Sequence, residues 1–132
     1  MPIVKLVEYE DAPPEVRAVY DEIKAARNVP DVNNFWKAIA SHPPTLRRVW
    51  NDLREVMAPG ALDPLTKEMI AVAVSVTNGC AYCINSHTAA AQRLGMTPEM
   101  LGELMAVIGM FNTTNRLAEG YQVESDVFPS FE

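Results

Sequence analysis

The sequence predicts an all-α protein, and three observations support this prediction. Apolar residues recur at intervals of three and four over several segments, which places them on one face of a helix. Proline or a capping residue marks the starts of these segments, and Gly, Asn or Pro marks their ends. The chain has 132 residues, of which 48% are hydrophobic, and this is enough for one domain with a buried core. We therefore expect residues 1–132 to form a single helical domain.

The first half of the chain contains three predicted helices. Residues 1–12 form an extended lead-in, after which Pro13-Pro14-Glu15 opens a helix that ends near residue 27. A short helix begins at Asn33-Asn34. The third runs from about Pro43 to Met57 with one apolar stripe and one charged side.

The fourth predicted helix begins at Pro64, with Asp63 as its N-cap, and reaches about Thr77. On β-propensity alone, Ala71 to Val76 would also fit a strand. The length of the whole segment and its capped start favour a buried helix instead.

Two more helices complete the prediction. One runs from about Cys80 to Leu94 and is closed by Gly95, and the last begins at Thr97-Pro98. Gly109 and the weak helix formers Asn112 to Asn115 predict a break or bend in this last helix.

An acidic tail, residues 122–132, carries Phe128 and Phe131. Because two exposed phenylalanines are unusual on a monomer, we expect the tail to dock on a neighbouring molecule or on its own core. Trp36, Trp50 and a methionine-rich last helix add further apolar surface to a small chain. These features predict a homo-oligomer.

Charge and composition exclude several classes of partner. The formal net charge is −6, with 17 acidic residues against 11 basic ones, which argues against sequence-independent binding to nucleic acid. The longest apolar stretch, Met69 to Val76, is too short to span a bilayer, and Met1 to Lys5 contain no run of signal-peptide type. Two cysteines kept as a Cys-x-x-Cys pair fit a reducing compartment. We therefore expect a cytoplasmic location and no membrane partner.

The chemistry is concentrated between Glu68 and His87, a stretch that holds both cysteines, Cys80 and Cys83. On a helix that starts near Cys80, the two thiols and the imidazole share one face, because each residue turns the helix by about 100°. One turn also brings the two α-carbons to roughly 5–6 Å, which is within disulfide reach. A helix start favours a thiolate, and an imidazole can accept the thiol proton. Together with the Glu68 carboxylate, these groups predict a redox or proton-transfer site.

Other interpretations of these residues stay open. The cysteines could be small buried apolar residues or a weak four-residue staple, or they could join His87 as three of the four ligands of a zinc site. Glu68 either faces the imidazole or lies in the first helical turn and points at solvent. His42 lies in a proline-rich loop, and this position favours the interpretation of His42 as a turn residue without a chemical role. Geometry leaves the attacking sulfur open, because the helix start favours Cys80 and the imidazole favours Cys83.

The same residues also resemble the motif of the AhpD-like alkylhydroperoxidases, which belong to the carboxymuconolactone decarboxylase superfamily. Glu68 is followed after eleven residues by Cys80-Ala81-Tyr82-Cys83, and after three more by His87. The similarity covers roughly residues 30–120, and its further matching segments are Asp63 to Glu68, Asn78-Gly79, Phe111 and Asn115-Arg116-Leu117. One position departs from the motif, since the best-known peroxidases have a histidine where this chain has Tyr82.

The resemblance implies an all-α bundle of about six to seven helices, assembled as a trimer or hexamer. It implies that Cys83 attacks a hydroperoxide, that Cys80 then closes a disulfide, and that Glu68 and His87 relay the thiol proton. A dithiol such as a lipoyl-bearing protein or thioredoxin would restore the pair. We expect no cofactor and no metal at the site.

Two rival functions remain. A lyase or isomerase acting on a lactone would use Glu68 and His87 as an acid–base pair, with the cysteines incidental. A non-catalytic oligomeric binding protein would form the disulfide without turnover.

Overall fold

The computed structural model describes all 132 residues, which form six α-helices and no β-strand. The helices are α1 (Pro14–Arg27), α2 (Asn34–Ile39), α3 (Pro43–Val56), α4 (Pro64–Asn78), α5 (Ala81–Arg93) and α6 (Pro98–Gly120). The all-α prediction is confirmed, and the predicted boundaries agree with these to about one residue, except within the last helix. None of the six helices combines the length and the hydropathy that crossing a membrane requires.

The chain divides into two compact units, Met1–Ala58 and Pro59–Glu132. In the first unit, α1 packs against α3, and α2 packs against α3. Trp36 and Trp50 meet edge to face with their ring centroids 5.6 Å apart. Tyr20 is fully buried and donates its hydroxyl to the Val7 carbonyl at 2.8 Å. Burial raises the pKa of this phenol to about 12.

Two groups of ion pairs lie in the first unit, one around Lys37 and one around Glu22. The buried Lys37 ammonium lies 2.6 Å from a Glu8 carboxylate oxygen and 2.7 Å from one of Asp31. The hydrogen bond to Asp31, followed by the one to Glu8, raises the pKa of Lys37. Glu22 accepts hydrogen bonds from Arg47 and from the Trp50 indole, and the bond from Arg47 lowers its pKa.

The second unit consists of α4, α5 and α6, with α4 packed against both of the other helices. Asp63 caps α4 as predicted, because its carboxylate accepts the Thr66 N–H at 2.8 Å. This hydrogen bond lowers the pKa of Asp63. Thr97 caps α6 in the same way, by accepting the Met100 N–H at 3.2 Å.

The predicted break in the last helix is wrong, since α6 runs without interruption from Pro98 to Gly120. The polar residues that predicted the break bond to carbonyls of their own helix. The Asn112 side chain donates to the Ile108 carbonyl at 2.8 Å, and the Thr113 hydroxyl donates to the Gly109 carbonyl at 3.0 Å. These side chains are satisfied within the helix and therefore do not compete for another backbone conformation.

Two expectations for the chain ends need correction. The lead-in contains a short 3-10 turn at Tyr9–Asp11 rather than a fully extended segment. The tail does not dock on its own core, because Phe128 is 77% exposed and Phe131 is fully exposed. Docking on a neighbouring molecule remains a prediction.

Candidate active site

The site is built on the reversal of the chain between α4 and α5, which takes two residues, Gly79 and Cys80. Gly79 has φ +72°, in the left-handed region that favours glycine. Its N–H donates to the Val76 carbonyl at 3.2 Å, and the Cys80 N–H donates to the Ser75 carbonyl at 3.0 Å. These two bonds close α4 in a Schellman motif and hold Cys80 at the start of the next helix. Sequence reasoning missed the Ser75 carbonyl, because a backbone acceptor leaves no signal in the side-chain pattern.

Cys80 is the N-cap of α5 and not its first helical residue. Its sulfur accepts the N–H of Cys83 at 3.2 Å, which satisfies one of the four unpaired N–H groups at the start of the helix. A serine or aspartate oxygen usually has this role. The same contact would favour negative charge on the Cys80 sulfur, since helix N-termini stabilise anions.

The two cysteines are joined by a disulfide, with their α-carbons 5.3 Å apart. This agrees with the spacing predicted for one helical turn. Both residues are half-buried, and Tyr82 between them is 44% exposed. The pair therefore lies where a small solute or a second thiol can reach it from solvent.

Glu68 and His87 meet across the α4–α5 helix pair. The imidazole Nδ1 lies 2.7 Å from Oε2 of the Glu68 carboxylate. Because the chain reverses at Gly79 and Cys80, Glu68, eleven positions before Gly79, lies beside His87, seven positions after Cys80. The interpretation of Glu68 as a solvent-pointing acid is wrong, since its side chain is only 16% exposed.

This pairing determines which imidazole nitrogen is available for chemistry. If the Glu68 carboxylate is ionised, it only accepts hydrogen bonds, and Nδ1 then carries the hydrogen that Glu68 accepts. In the neutral imidazole, Nε2 is then left with a lone pair. His87 lies one helical turn beyond Cys83 on α5, so the two side chains share a face of that helix.

The remaining sequence candidates lie elsewhere. His42 precedes α3 in the first unit, and its Nδ1 lies 2.8 Å from the Thr45 hydroxyl, as expected for a residue at a helix start. No group of three or more His, Cys, Asp or Glu residues is arranged to hold a metal ion. The structure thus brings together Glu68 with His87, and Cys80 with Cys83, on two adjacent helices.

Residues 44–123 match the sequence profile of the carboxymuconolactone decarboxylase family, which is more than half of the chain. The chain belongs to this family. A solved structure of similar fold is described as the alkylhydroperoxidase AhpD core from Rhodospirillum rubrum. It superposes with a TM-score of 0.91 at 46% identity, over 96% of this chain and 95% of the other. The AhpD-like fold predicted from the sequence is therefore confirmed.

Two relatives of known sequence match this chain over shorter spans. The alkyl hydroperoxide reductase AhpD of Solibacter usitatus is 29% identical over 106 residues, which cover 78% of this chain and 58% of that protein. An uncharacterised protein of the Paracoccus denitrificans cox locus is 46% identical over 52 residues, or 39% of this chain and 47% of that protein. The chain thus spans about half the length of these two relatives.

Proposed function

We propose that this protein is a thiol-dependent peroxidase that reduces hydroperoxides with the Cys80–Cys83 pair. The observation that carries the proposal is the disulfide at the start of α5, on the same two helices as the Glu68–His87 hydrogen bond. At the level of the family, similarity to proteins named alkylhydroperoxidase and alkyl hydroperoxide reductase supports this type of activity.

The proposed reaction begins with both cysteines reduced. The Cys83 thiolate attacks the terminal peroxide oxygen, so that an S–O bond forms, the O–O bond breaks and an alcohol leaves after protonation. Cys83 is then a sulfenic acid. The Cys80 thiol attacks that sulfur, the S–S bond forms and water leaves. The peroxide has gained the two electrons that the cysteine pair has lost, and an external dithiol returns them by thiol–disulfide exchange.

Glu68 and His87 move the proton in this scheme. Nε2 of His87 takes the thiol proton from Cys83 and returns it to the alkoxide that leaves the peroxide. The Glu68 carboxylate holds the imidazole in this orientation through Nδ1 and stabilises the imidazolium. The geometry within α5 supports this division of roles, because His87 follows Cys83 by one helical turn.

The choice of Cys83 as the attacking residue is part of the proposal. The N–H that Cys80 accepts favours a thiolate at Cys80, whereas the imidazole one turn away favours a thiolate at Cys83. Along α5, His87 follows Cys83 by one turn and Cys80 by about two turns, so the base is nearer to Cys83, and the family motif assigns the attack to the second cysteine. Cys80 then acts as the resolving thiol, already within bonding distance.

We also propose a cytoplasmic homo-oligomer, a trimer or hexamer, reduced by a lipoyl-bearing protein or thioredoxin. Exposed apolar side chains on α4 and α6 support the assembly, since Ile70 is 47% exposed and Met110 is 58% exposed. Light scattering that gave a monomer at micromolar concentration would contradict it.

The direct test is a steady-state peroxide assay with a panel of reductants that includes dihydrolipoamide, thioredoxin and glutathione. Turnover with at least one dithiol is expected, together with a mass loss of two hydrogens per chain after treatment with hydrogen peroxide. A disulfide without turnover under every reductant would favour a binding protein. Turnover of a lactone that survives loss of both cysteines would favour the decarboxylase chemistry for which the family is named.

A further inference from the structure

A groove of about 390 Å³ lies on the second unit between α4 and α6. Its apolar part is formed by Leu104, Val107 and Phe111. Val107 is 54% exposed and Phe111 is 56% exposed, although both are large apolar residues. We call this feature the α4–α6 groove. A concave apolar surface of this kind can accept inserted side chains.

The other end of the α4–α6 groove is polar and holds one basic and one acidic side chain. Asn115, Arg116 and Glu119 line it. Arg116 is the only basic residue after Arg93, and it makes no salt bridge within the chain. An exposed guanidinium beside an apolar cleft suits a ligand that combines a carboxylate with aromatic rings.

The tail, residues 122–132, has this chemistry. It contains the acids Glu124, Asp126 and Glu132 and no base. Its apolar residues are almost unburied, with Val127 at 82% exposure, Phe128 at 77% and Phe131 fully exposed. Each aromatic side chain can remove about 150–250 Å² from water, so leaving both exposed forgoes a large stabilisation.

The tail leaves α6 at a closed helix end and is exposed from its first residues. Gln122 has φ +52°, and the Val123 N–H donates to the Ala118 carbonyl at 3.0 Å. These features close the helix and start a new chain direction. Val123 is 68% exposed and Phe128 is 77% exposed, so the tail does not bury its apolar residues in the groove of its own chain.

We propose that the α4–α6 groove binds the tail of a second copy of this chain. Phe128 and Phe131 fill the apolar part of the groove, and Asp126 pairs with Arg116. The contact rests on the homo-oligomer proposed above and does not depend on the thiol chemistry. It specifies which segment of one copy is bound by which surface of the next.

The first experiment measures whether the groove binds the tail sequence. A fluorescent peptide of residues 122–132 is titrated into full-length F128A/F131A protein, whose own tail can no longer compete, and anisotropy is recorded. Saturable binding is expected. A peptide with both phenylalanines replaced by alanine should bind about tenfold more weakly or worse, a loss of 1.4 kcal/mol or more.

A matched pair of groove variants controls for position. Val107 lines the groove, whereas Val74 on α4 does not line it and is equally exposed at 53%. In the F128A/F131A background, V107E should abolish peptide binding and V74E should leave it within about twofold, since only the first places charge in the groove. Circular dichroism melts confirm that all variants fold. Equal effects of V107E and V74E would overturn the proposal.

The second experiment asks whether the tail binds another copy. Full-length F128A/F131A protein has a free groove and a disabled tail, and full-length V107E protein has the opposite combination. The two proteins are mixed at micromolar concentration, with a tag on one of them, and they should form complexes. These complexes should be absent when the triple variant F128A/F131A/V107E replaces the F128A/F131A protein, because neither protein then has a free groove. Complex formation that is the same with the triple variant would overturn docking between copies, even if the peptide binds.

The outcomes also separate this contact from the proposed assembly. If the wild-type protein is monomeric by light scattering, the homo-oligomer and the tail contact both fail. If it is oligomeric but the peptide does not bind and F128A/F131A leaves subunit exchange unchanged, only the tail contact fails.

Discussion

Ten buried apolar residues lie in the unit Met1–Ala58, whereas only four, Val72, Ala91, Met96 and Ile108, lie in the longer unit Pro59–Glu132. The first unit packs three helices around two tryptophans and a buried tyrosine. The second unit packs α4, α5 and α6 together but buries few large side chains, and it exposes apolar side chains on α4 and α6. The candidate site lies wholly in the second unit. The unit with the candidate chemistry is therefore the one whose apolar surface most needs covering by another molecule.

The contrast between the two units can be tested first at the cysteines of the second unit, where the largest effect, on peroxide turnover, is expected. Cys80→Ser and Cys83→Ser should each abolish peroxide turnover, because the proposed cycle needs both sulfurs. Cys80→Ser should still react once with peroxide and leave a sulfenic acid at Cys83, detected as a dimedone adduct by mass spectrometry. A dimedone adduct in Cys83→Ser but not in Cys80→Ser would reverse the assignment of attacking and resolving thiols.

Glu68→Gln should slow peroxide reduction by about 10²–10⁴-fold, the usual scale of acid–base contributions, because the amide cannot stabilise an imidazolium. His87→Ala should cost a similar factor, and the double variant little more, because members of one relay are not additive. Glu99→Gln, which changes an exposed first-turn acid of α6, is the matched control. A wild-type rate in Glu68→Gln would show that the carboxylate has no part in the relay.

Trp36→Ala should lower the free energy of unfolding by about 3–5 kcal/mol, as expected for deleting a large buried aromatic side chain. Trp36 is 2% exposed and packs edge to face on Trp50. The loss should be measured by denaturant titration and should not depend on protein concentration.

Phe111→Ala in the second unit provides the contrast to Trp36→Ala. Phe111 is 56% exposed in the single chain, so its removal should cost less than about 1 kcal/mol in the monomer. A larger loss is expected only at concentrations where copies associate, because the ring is then covered. A large loss at every concentration would contradict the division between a self-contained unit and an exposed one.

Substitutions at two glycines of the second unit should change the stability in opposite directions. Gly79→Ala should destabilise the fold by about 1–2 kcal/mol, because a left-handed backbone is costly for a residue with a Cβ. No atom lies within 4 Å of the Cβ that would be added, so the cost is conformational and not steric. Gly102→Ala within α6 meets nothing within 4 Å either, and should stabilise the helix by roughly 0.5–1 kcal/mol. Thermal melts of the reduced proteins test both signs.

The smallest effect concerns the pH dependence of the first unit. The Lys37 hydrogen bond lowers the pKa of Asp31 below its usual 3.8, so this contribution is present above pH 3.8 and is lost as pH falls through the folded value. The pKa of Lys37 is raised above 10.5, so its contribution is present below pH 10.5 and is lost as pH rises further. The melting temperature should fall at both extremes. Asp31→Asn should flatten the acid side, because the lowered pKa is lost with the carboxylate, and should also weaken the alkaline side, because the Asp31 hydrogen bond is the largest cause of the raised pKa of Lys37. An unchanged acid side would show that other groups control it.

The sequence predicted the helices well because their signals are local. Asp63-Pro64 and Thr97-Pro98 mark helix starts through capping, and the caps are present. The break predicted near Asn112 failed for a reason outside propensity scales, since the polar side chains bond to their own helix. Whether the tail docks on its own core could not be predicted from the sequence either, because docking depends on surfaces that are distant in sequence.

For the candidate site, the sequence alone determined the spacing of Cys80, Cys83 and His87, since one helical turn sets their separation whatever the surroundings. It left open whether Glu68 faces solvent or the imidazole, because these residues lie nineteen positions apart on different helices. Only the tertiary structure decided this, through the reversal at Gly79 and the packing of α4 on α5. The 2.7 Å contact between Glu68 and His87 is thus a property of the helix pair. The N-cap contact to the Cys80 sulfur follows likewise from the way α4 ends.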